Sequence, residues 1–111
     1  MRHSDLCAAL TASGIPWTGE RWDVPPSAIP PLPYAVKCRD SAPTSHADNL
    51  TLVSANYWRI ELYSRNYDYE AEGRLEAALD TAGFAYALEP VGEVPDSGGV
   101  YETCLYVTTI D

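Results

Sequence analysis

From Trp58 the chain alternates cleanly. Trp58, Ile60 and Leu62 fall on one side of an extended backbone, and Tyr57, Arg59, Glu61 and Tyr63 fall on the other. This period of two predicts an antiparallel strand, over about Leu50 to Tyr63, with one face buried and one open. A few residues later the period changes to that of a helix. Asp68 is placed to cap it, and Glu70 and Glu72 sit in the first turn, where the helix dipole favours acids. Ala71, Leu75, Ala78, Leu79 and Ala82 form one apolar stripe. Gly73 inside that stretch costs about 1 kcal/mol against Ala, and Gly83 supplies the stop. A strand with one face to bury, followed by a helix with one stripe to bury, requires the helix to lie on a sheet.

The rest of the chain fits that plan. Ser4 is expected to cap a first helix from Asp5 to Ser13, with Leu6, Ala9 and Leu10 on one face and Gly14 and Pro16 ending it. Trp17 to Trp22 reads as a short strand. Val24 to Pro33 contains five prolines and reads as a stiff extended connector, because Pro lacks a donor and cannot sit in a central strand. A polyproline ligand for an aromatic groove is the other use of such a stretch. Tyr34 to Arg39 follows as a strand, and Asp40 to Asn49 is rich in turn formers. Phe84, Tyr86 and Leu88 alternate up to Pro90, Val91 to Gly99 is a loop with a Gly-Gly tip, and Val100 to Ile110 is a closing strand. The expected fold is α+β: a four- or five-stranded, mostly antiparallel sheet with both helices on one face. The expected core is Leu6, Leu10, Trp58, Ile60, Leu62, Leu75, Leu79 and Val107.

With 111 residues the expectation is one domain, large enough to bury a core without metal or disulfide support. No apolar run approaches a membrane span, and the first residues do not read as a secretory signal. The net charge of -9 is concentrated in residues 56–111, which hold eleven acids against three Lys or Arg. So negative a surface repels phosphate backbones, and no nucleic-acid binding is expected. Cys7, Cys38 and Cys104 are dispersed, which argues against a disulfide framework or a zinc site and for a reducing, cytosolic setting.

Chemistry is hard to find. His3 and His46 lack a second ligand at metal spacing. Cys104 with His46 would make a thiol dyad, but nothing local marks one. Glu61 and Glu102 would make a carboxylate pair on neighbouring strands; exposed strand acids are the plainer account. Ser97-Gly98-Gly99 is followed by a strand and by no Lys, so it is not a phosphate loop. No catalytic residue, metal or cofactor is expected. Eight Tyr and three Trp are more suggestive, since such side chains are enriched at protein–protein contacts.

The order of segments resembles a family of small phage proteins. The carriers are Ile15-Pro16, the Pro-rich stretch ending Pro33-Tyr34-Ala35-Val36, the turn His46-Ala47-Asp48-Asn49, the strand Tyr57 to Tyr63 with Ile60-Glu61-Leu62-Tyr63, and the acidic helix at 70–82. The likeness spans about residues 14–110. These proteins are called tail completion, tail terminator or minor capsid proteins of long-tailed phages and prophages. This chain departs from them in having few Lys and in the Gly-Gly loop before its last strand. The resemblance implies a structural protein of the virion, present in the host cytoplasm before assembly. It implies a homo-oligomeric ring, usually of six, on the tail tube protein and against the head connector protein. The interface is expected on Pro30, Pro31, Pro33 and Tyr34, on His46, Asp48 and Asn49, on Tyr57 and Tyr63, and on Ser97, Gly98 and Gly99. An acidic binding or inhibitor module that masks a basic partner is the alternative, and a small hydrolase built on Glu61, Glu102 and Cys104 is the third.

Overall fold

The computed structural model describes residues 1–41 and 55–110. Two helices, α1 (His3–Ala12) and α2 (Tyr69–Ala82), pack together on one face of a five-stranded sheet. The strands are β1 (Trp17–Gly19), β2 (Tyr34–Arg39), β3 (Ala55–Arg65), β4 (Tyr86–Glu93) and β5 (Val100–Ile110), in the order β1-β2-β3-β5-β4. Only β1 with β2 is parallel. The fold is α+β, as the alternating strand and striped helix require. β3 and β4 both run antiparallel to β5, so α2 carries the chain across β5 to the far edge.

The two faces of the sheet differ because side chains alternate. Toward the helices point Trp58, Ile60 and Leu62, with their β5 partners Val107, Leu105 and Thr103. Leu6, Leu10, Leu75 and Leu79 close over them, each 1% exposed or less. All eight expected core residues are buried. The Trp58 indole Nε1–H donates to Thr109 Oγ1 at 2.9 Å, which satisfies the polar tip of a buried aromatic.

Several boundaries moved for local reasons. α1 starts at His3, with Arg2 rather than Ser4 as its N-cap. An Arg side chain has no acceptor, so the first turn is held from the other direction: Asp5 accepts the Arg2 backbone N–H at 2.8 Å. β1 stops at Gly19 because Glu20 turns left-handed, at φ 62°. The Pro-rich connector contains a short 3-10 turn at Pro26–Ala28. β3 continues two residues past Tyr63, and its expected portion 50–54 lies outside the described residues. α2 begins and ends as its sequence predicts: Asp68 Oδ1 accepts from the Ala71 N–H at 3.1 Å, and Gly83 takes φ 85°. Phe84 belongs to that helix end rather than to a strand. Its N–H returns to Leu79 O at 2.9 Å and its ring is buried. β4 starts at Tyr86 and runs through Pro90 to Glu93, the register shifting between Pro90 and Gly92. Pro is tolerated there because β4 is an edge strand.

Leu75 is 1% exposed in the layer between α2 and the sheet. Leu75→Ala should cost about 2–5 kcal/mol, read from the denaturation midpoint in urea. A loss below about 0.5 kcal/mol, the scale of an ordinary surface substitution, would contradict this placement.

Candidate functional site

The face of the sheet away from the helices carries a polar network. Its centre is Glu61. One carboxylate oxygen accepts the Arg59 Nε–H at 2.8 Å and the other accepts the Tyr63 hydroxyl at 2.9 Å. Arg59 also reaches Asp40 at 3.2 Å. On β5, the Cys104 thiol donates to Glu102 at 3.3 Å, and the Tyr106 hydroxyl donates to Glu89 on β4 at 3.0 Å. Cys38 and Cys104 are buried among these longer side chains. β-Strand alternation alone brings the set together: every member has the phase opposite to Ile60 and Leu105.

The chemistry of this face is that of held protons. Burial, then the hydrogen bond to Glu102, pushes the Cys104 thiol up to about 12. Burial also raises Cys38, with the nearby Glu61 adding to it. Tyr63 is raised by burial and then by its bond to Glu61, and Tyr106 is pushed up to about 12 chiefly by its bond to Glu89. Arg59 is held protonated mainly by Glu61. A thiol shifted this way stays neutral at pH 7 and is a donor, not a nucleophile. Glu61 and Glu102 do fall on neighbouring strands of one face, but each already accepts a neighbour's proton. His46, the proposed partner of Cys104, lies outside the described residues. Among the described residues no three His, Cys, Asp or Glu side chains are grouped as metal ligands.

The expected interface residues separate into two ends of the sheet. At one end β2 begins, β3 finishes and β5 begins. There Tyr34 lies 5.7 Å from Tyr63 between ring centroids, and Trp22 packs edge-on against Tyr34 at 5.5 Å. Pro30, Pro31 and Pro33 lead directly into Tyr34. Ser97, Gly98 and Gly99 arrive at the same end through the β4–β5 turn. Ser97 Oγ donates to Val94 O at 2.6 Å, Arg65 donates to Gly98 O at 3.3 Å, and the Asn66 N–H donates to Gly99 O at 2.9 Å. Gly98 and Gly99 take φ 70° and 101°, and a Cβ on Gly99 would stand 3.1 Å from Asn66 Oδ1, so this turn needs both glycines. Tyr57 lies at the opposite end of β3. His46, Asp48 and Asn49 lie outside the described residues.

Two groupings were not anticipated. His3 Nε2 is 3.6 Å from Cys7 Sγ on α1. The four-residue spacing would reveal this pair once the helix is started at His3. Lys37 and Arg39 also gather against Trp58 on the helix side of β2. Sequence alternation does not announce a buried lysine.

Neither a protein-family profile nor a curated protein matches this chain. No helix among the described residues is long and apolar enough to cross a membrane.

The proton-holding face has a measurable consequence. Cys104 ionises near its ordinary value of 9.0 when unfolded but near 12 when folded. Below pH 9 both states keep the proton. Above it the unfolded state loses the proton first, so folding stability falls as pH rises from 9 toward 12. Tyr63, Tyr86 and Tyr106 act in the same direction from 10.0 upward. The melting midpoint should decline steadily over that window, and Cys104 should resist a thiol reagent at pH 8 until the protein is unfolded. A midpoint flat to pH 11 would refute this account.

Proposed function

We propose that this chain is a structural phage protein that completes the tail at the head–tail junction, closing as a ring, usually of six copies, on the tail tube. The observation that supports this best is an uncharged, partly exposed arm that leads into an aromatic cluster at one end of the sheet. Val24 to Val36 contains no charged residue, yet Val24 is 44% exposed and Pro25, Pro26 and Pro31 are exposed as well. The arm leads into Tyr34, which packs against Trp22 and Tyr63, and the Gly-rich turn lies at the same end of the sheet. Loops of this composition held on a rigid sheet are the usual carriers of binding. The open face supplies hydrogen-bonding networks rather than a nucleophile with its base.

A ring requires two different surfaces of the chain to fit each other. Strand addition is poorly served here. β1 is three residues long, and the outer edge of β4 is interrupted by Pro90 and a bulge and carries the exposed Glu89 and Glu93. These are devices that protect an edge. The contacts of the proposed ring therefore belong to the arm, the β4–β5 turn and the open face. Under this reading the virion junction is the site of action, with the tail tube and head connector proteins as partners.

A second reading, a module that masks a basic partner, draws on charge. No Lys or Arg follows Arg74, and Glu70, Asp80, Glu89, Glu93 and Asp96 are all exposed. Its contacts would weaken steeply with salt, whereas an apolar arm would not.

Replacing Pro25, Pro26, Pro30 and Pro31 together with Ser should leave the circular dichroism of a folded domain. Phage particles carrying the change should show filled heads and tails left unjoined by electron microscopy. Asp48→Ala with Asn49→Ala is expected to do the same. Normal-length tails on filled heads in both cases would remove the support for tail completion.

A further inference from the structure

At the corner where β3 hands over to α2, the backbone is strained and three tyrosines gather. Asn66 and Tyr67 take φ 53° and 56° in succession. Asn tolerates the left-handed region, but a bulky ring there is uncommon, and glycine would suit the backbone better. Strain of this kind persists only where surrounding contacts hold it. Here the Asn66 N–H donates to Gly99 O at 2.9 Å, the Asp68 N–H donates to Ser64 Oγ at 3.1 Å, and the Tyr67 hydroxyl donates to Glu72 Oε2 at 2.6 Å. The Tyr67 ring is thereby fixed against two others. Its centroid lies 4.7 Å from that of Tyr69, with the planes 47° apart, and 6.2 Å from that of Tyr101, with the planes 70° apart.

The core does not need Tyr69. It is 76% exposed, the most exposed large apolar side chain among the described residues, and its ring rests on Tyr67. A ring backed on one side and open on the other has a π face to offer. Its surroundings are acidic. Residues 66–73 and 93–102 meet at this corner, and they hold Asp68, Glu70, Glu72, Glu93, Asp96 and Glu102 and no Lys or Arg. Glu93 lies opposite Tyr101 in the β4–β5 register, on the same face. Arg65 has the opposite phase and donates to Gly98 O. The N-terminus of α2 contributes about half a positive charge, which Asp68, Glu70 and Glu72 outweigh.

We propose that Tyr69, backed by Tyr67 and Tyr101 and rimmed by these acids, is a docking platform for an arginine side chain of a basic partner protein. The electron-rich face of a tyrosine attracts a cation, and carboxylates around it strengthen the attraction. Arginine fits better than lysine, because its planar guanidinium stacks on a ring while its edge reaches a carboxylate, and because it is less strongly hydrated. A proline-rich segment also lies well on tyrosines, but it brings no charge to match the acids. A nucleic-acid backbone is repelled by them. The ring reading uses none of the three tyrosines, so the two proposals stand or fall separately.

The test is a titration of the isotopically labelled full chain with an end-blocked glycine–arginine repeat peptide at pH 7 and low salt, followed by NMR. The Tyr67 and Tyr69 ring protons should shift saturably, with half-saturation on the order of 1 mM. The lysine counterpart should bind several-fold more weakly, and the citrulline counterpart, which keeps the shape without the charge, should not saturate. Tyr69→Phe keeps the ring and should bind within about twofold of the parent. Tyr69→Leu keeps apolar bulk without the π face and should weaken binding about tenfold, read from the Tyr67 ring. Both variants should melt where the parent does, because the replaced side chain is exposed. Equal binding of the citrulline peptide, arginine binding undiminished in Tyr69→Leu, or no saturable response by tens of millimolar peptide would overturn the proposal. So would tighter binding at the same tyrosines by a peptide of residues 24–33, which would make the platform a seat for a proline-rich arm.

Discussion

Everything else in this molecule hangs on the pairing of β3 with β5. The two strands are in register along all eleven residues of each, from Ala55 opposite Ile110 to Arg65 opposite Val100. That pairing is central: β2 attaches to the far side of β3, and β4 to the far side of β5. It also fixes phase. Ile60 opposite Leu105 points to the helices, and therefore Glu61 opposite Cys104 must point away. A slip of one residue would place Glu61 and Arg59 under α2 and expose Ile60 and Leu62, which the burial of apolar surface forbids. The core and the polar face are thus one decision made once.

The helices then follow from what that central pair leaves uncovered. α1 and α2 are short, and neither would persist alone in water. Each gains its stability from the apolar residues it lays on the sheet. Leu6 and Leu10 from one helix and Leu75 and Leu79 from the other fill the space over Ile60, Leu62 and Leu105. Their ends are handled by local polar groups, Asp5 on the first and Asp68 and Gly83 on the second, so the packed stripe need not also satisfy the free backbone groups.

What could be read from the sequence was what obeys a period. The alternation of Trp58, Ile60 and Leu62, the stripe from Ala71 to Ala82, and the strands Tyr34–Arg39 and Val100–Ile110 all emerged where they were expected. What escaped was decided by single contacts. Phe84 continues the alternation of Tyr86 and Leu88 on paper, yet the return of its N–H to Leu79 O makes it part of a helix end. Pro90 looked like the end of a strand, but an edge position and a bulge let the strand pass. Ser4 is the better capping residue by type, but Asp5 can reach back to the Arg2 N–H. Of the anticipated interface, Tyr34 and Tyr63 pack together, and the end of the Pro-rich arm and the Gly turn fall at the same end of the sheet, because β2, β3 and β5 bring their termini there. That placement depends on strand order, which no local pattern in the sequence specifies.

The two faces also divide the available charge unevenly, and this bears on function. On the open face the pairs are closed: Arg59 has Asp40 and Glu61, Tyr63 has Glu61, and Tyr106 has Glu89. Such a face can lie against a neighbour without leaving a buried charge unpaired, which is the main cost of placing polar groups in an interface. On the helix side Lys37 and Arg39 lie against the Trp58 ring, and Arg39 donates to Asn56 Oδ1. Repacking of the open face in an assembly would leave these cations untouched, since β2 alternation puts them on the other side of the sheet. A contact made by the open face would therefore place no demand on these two side chains, although both faces draw on the same short strand, Tyr34 to Arg39.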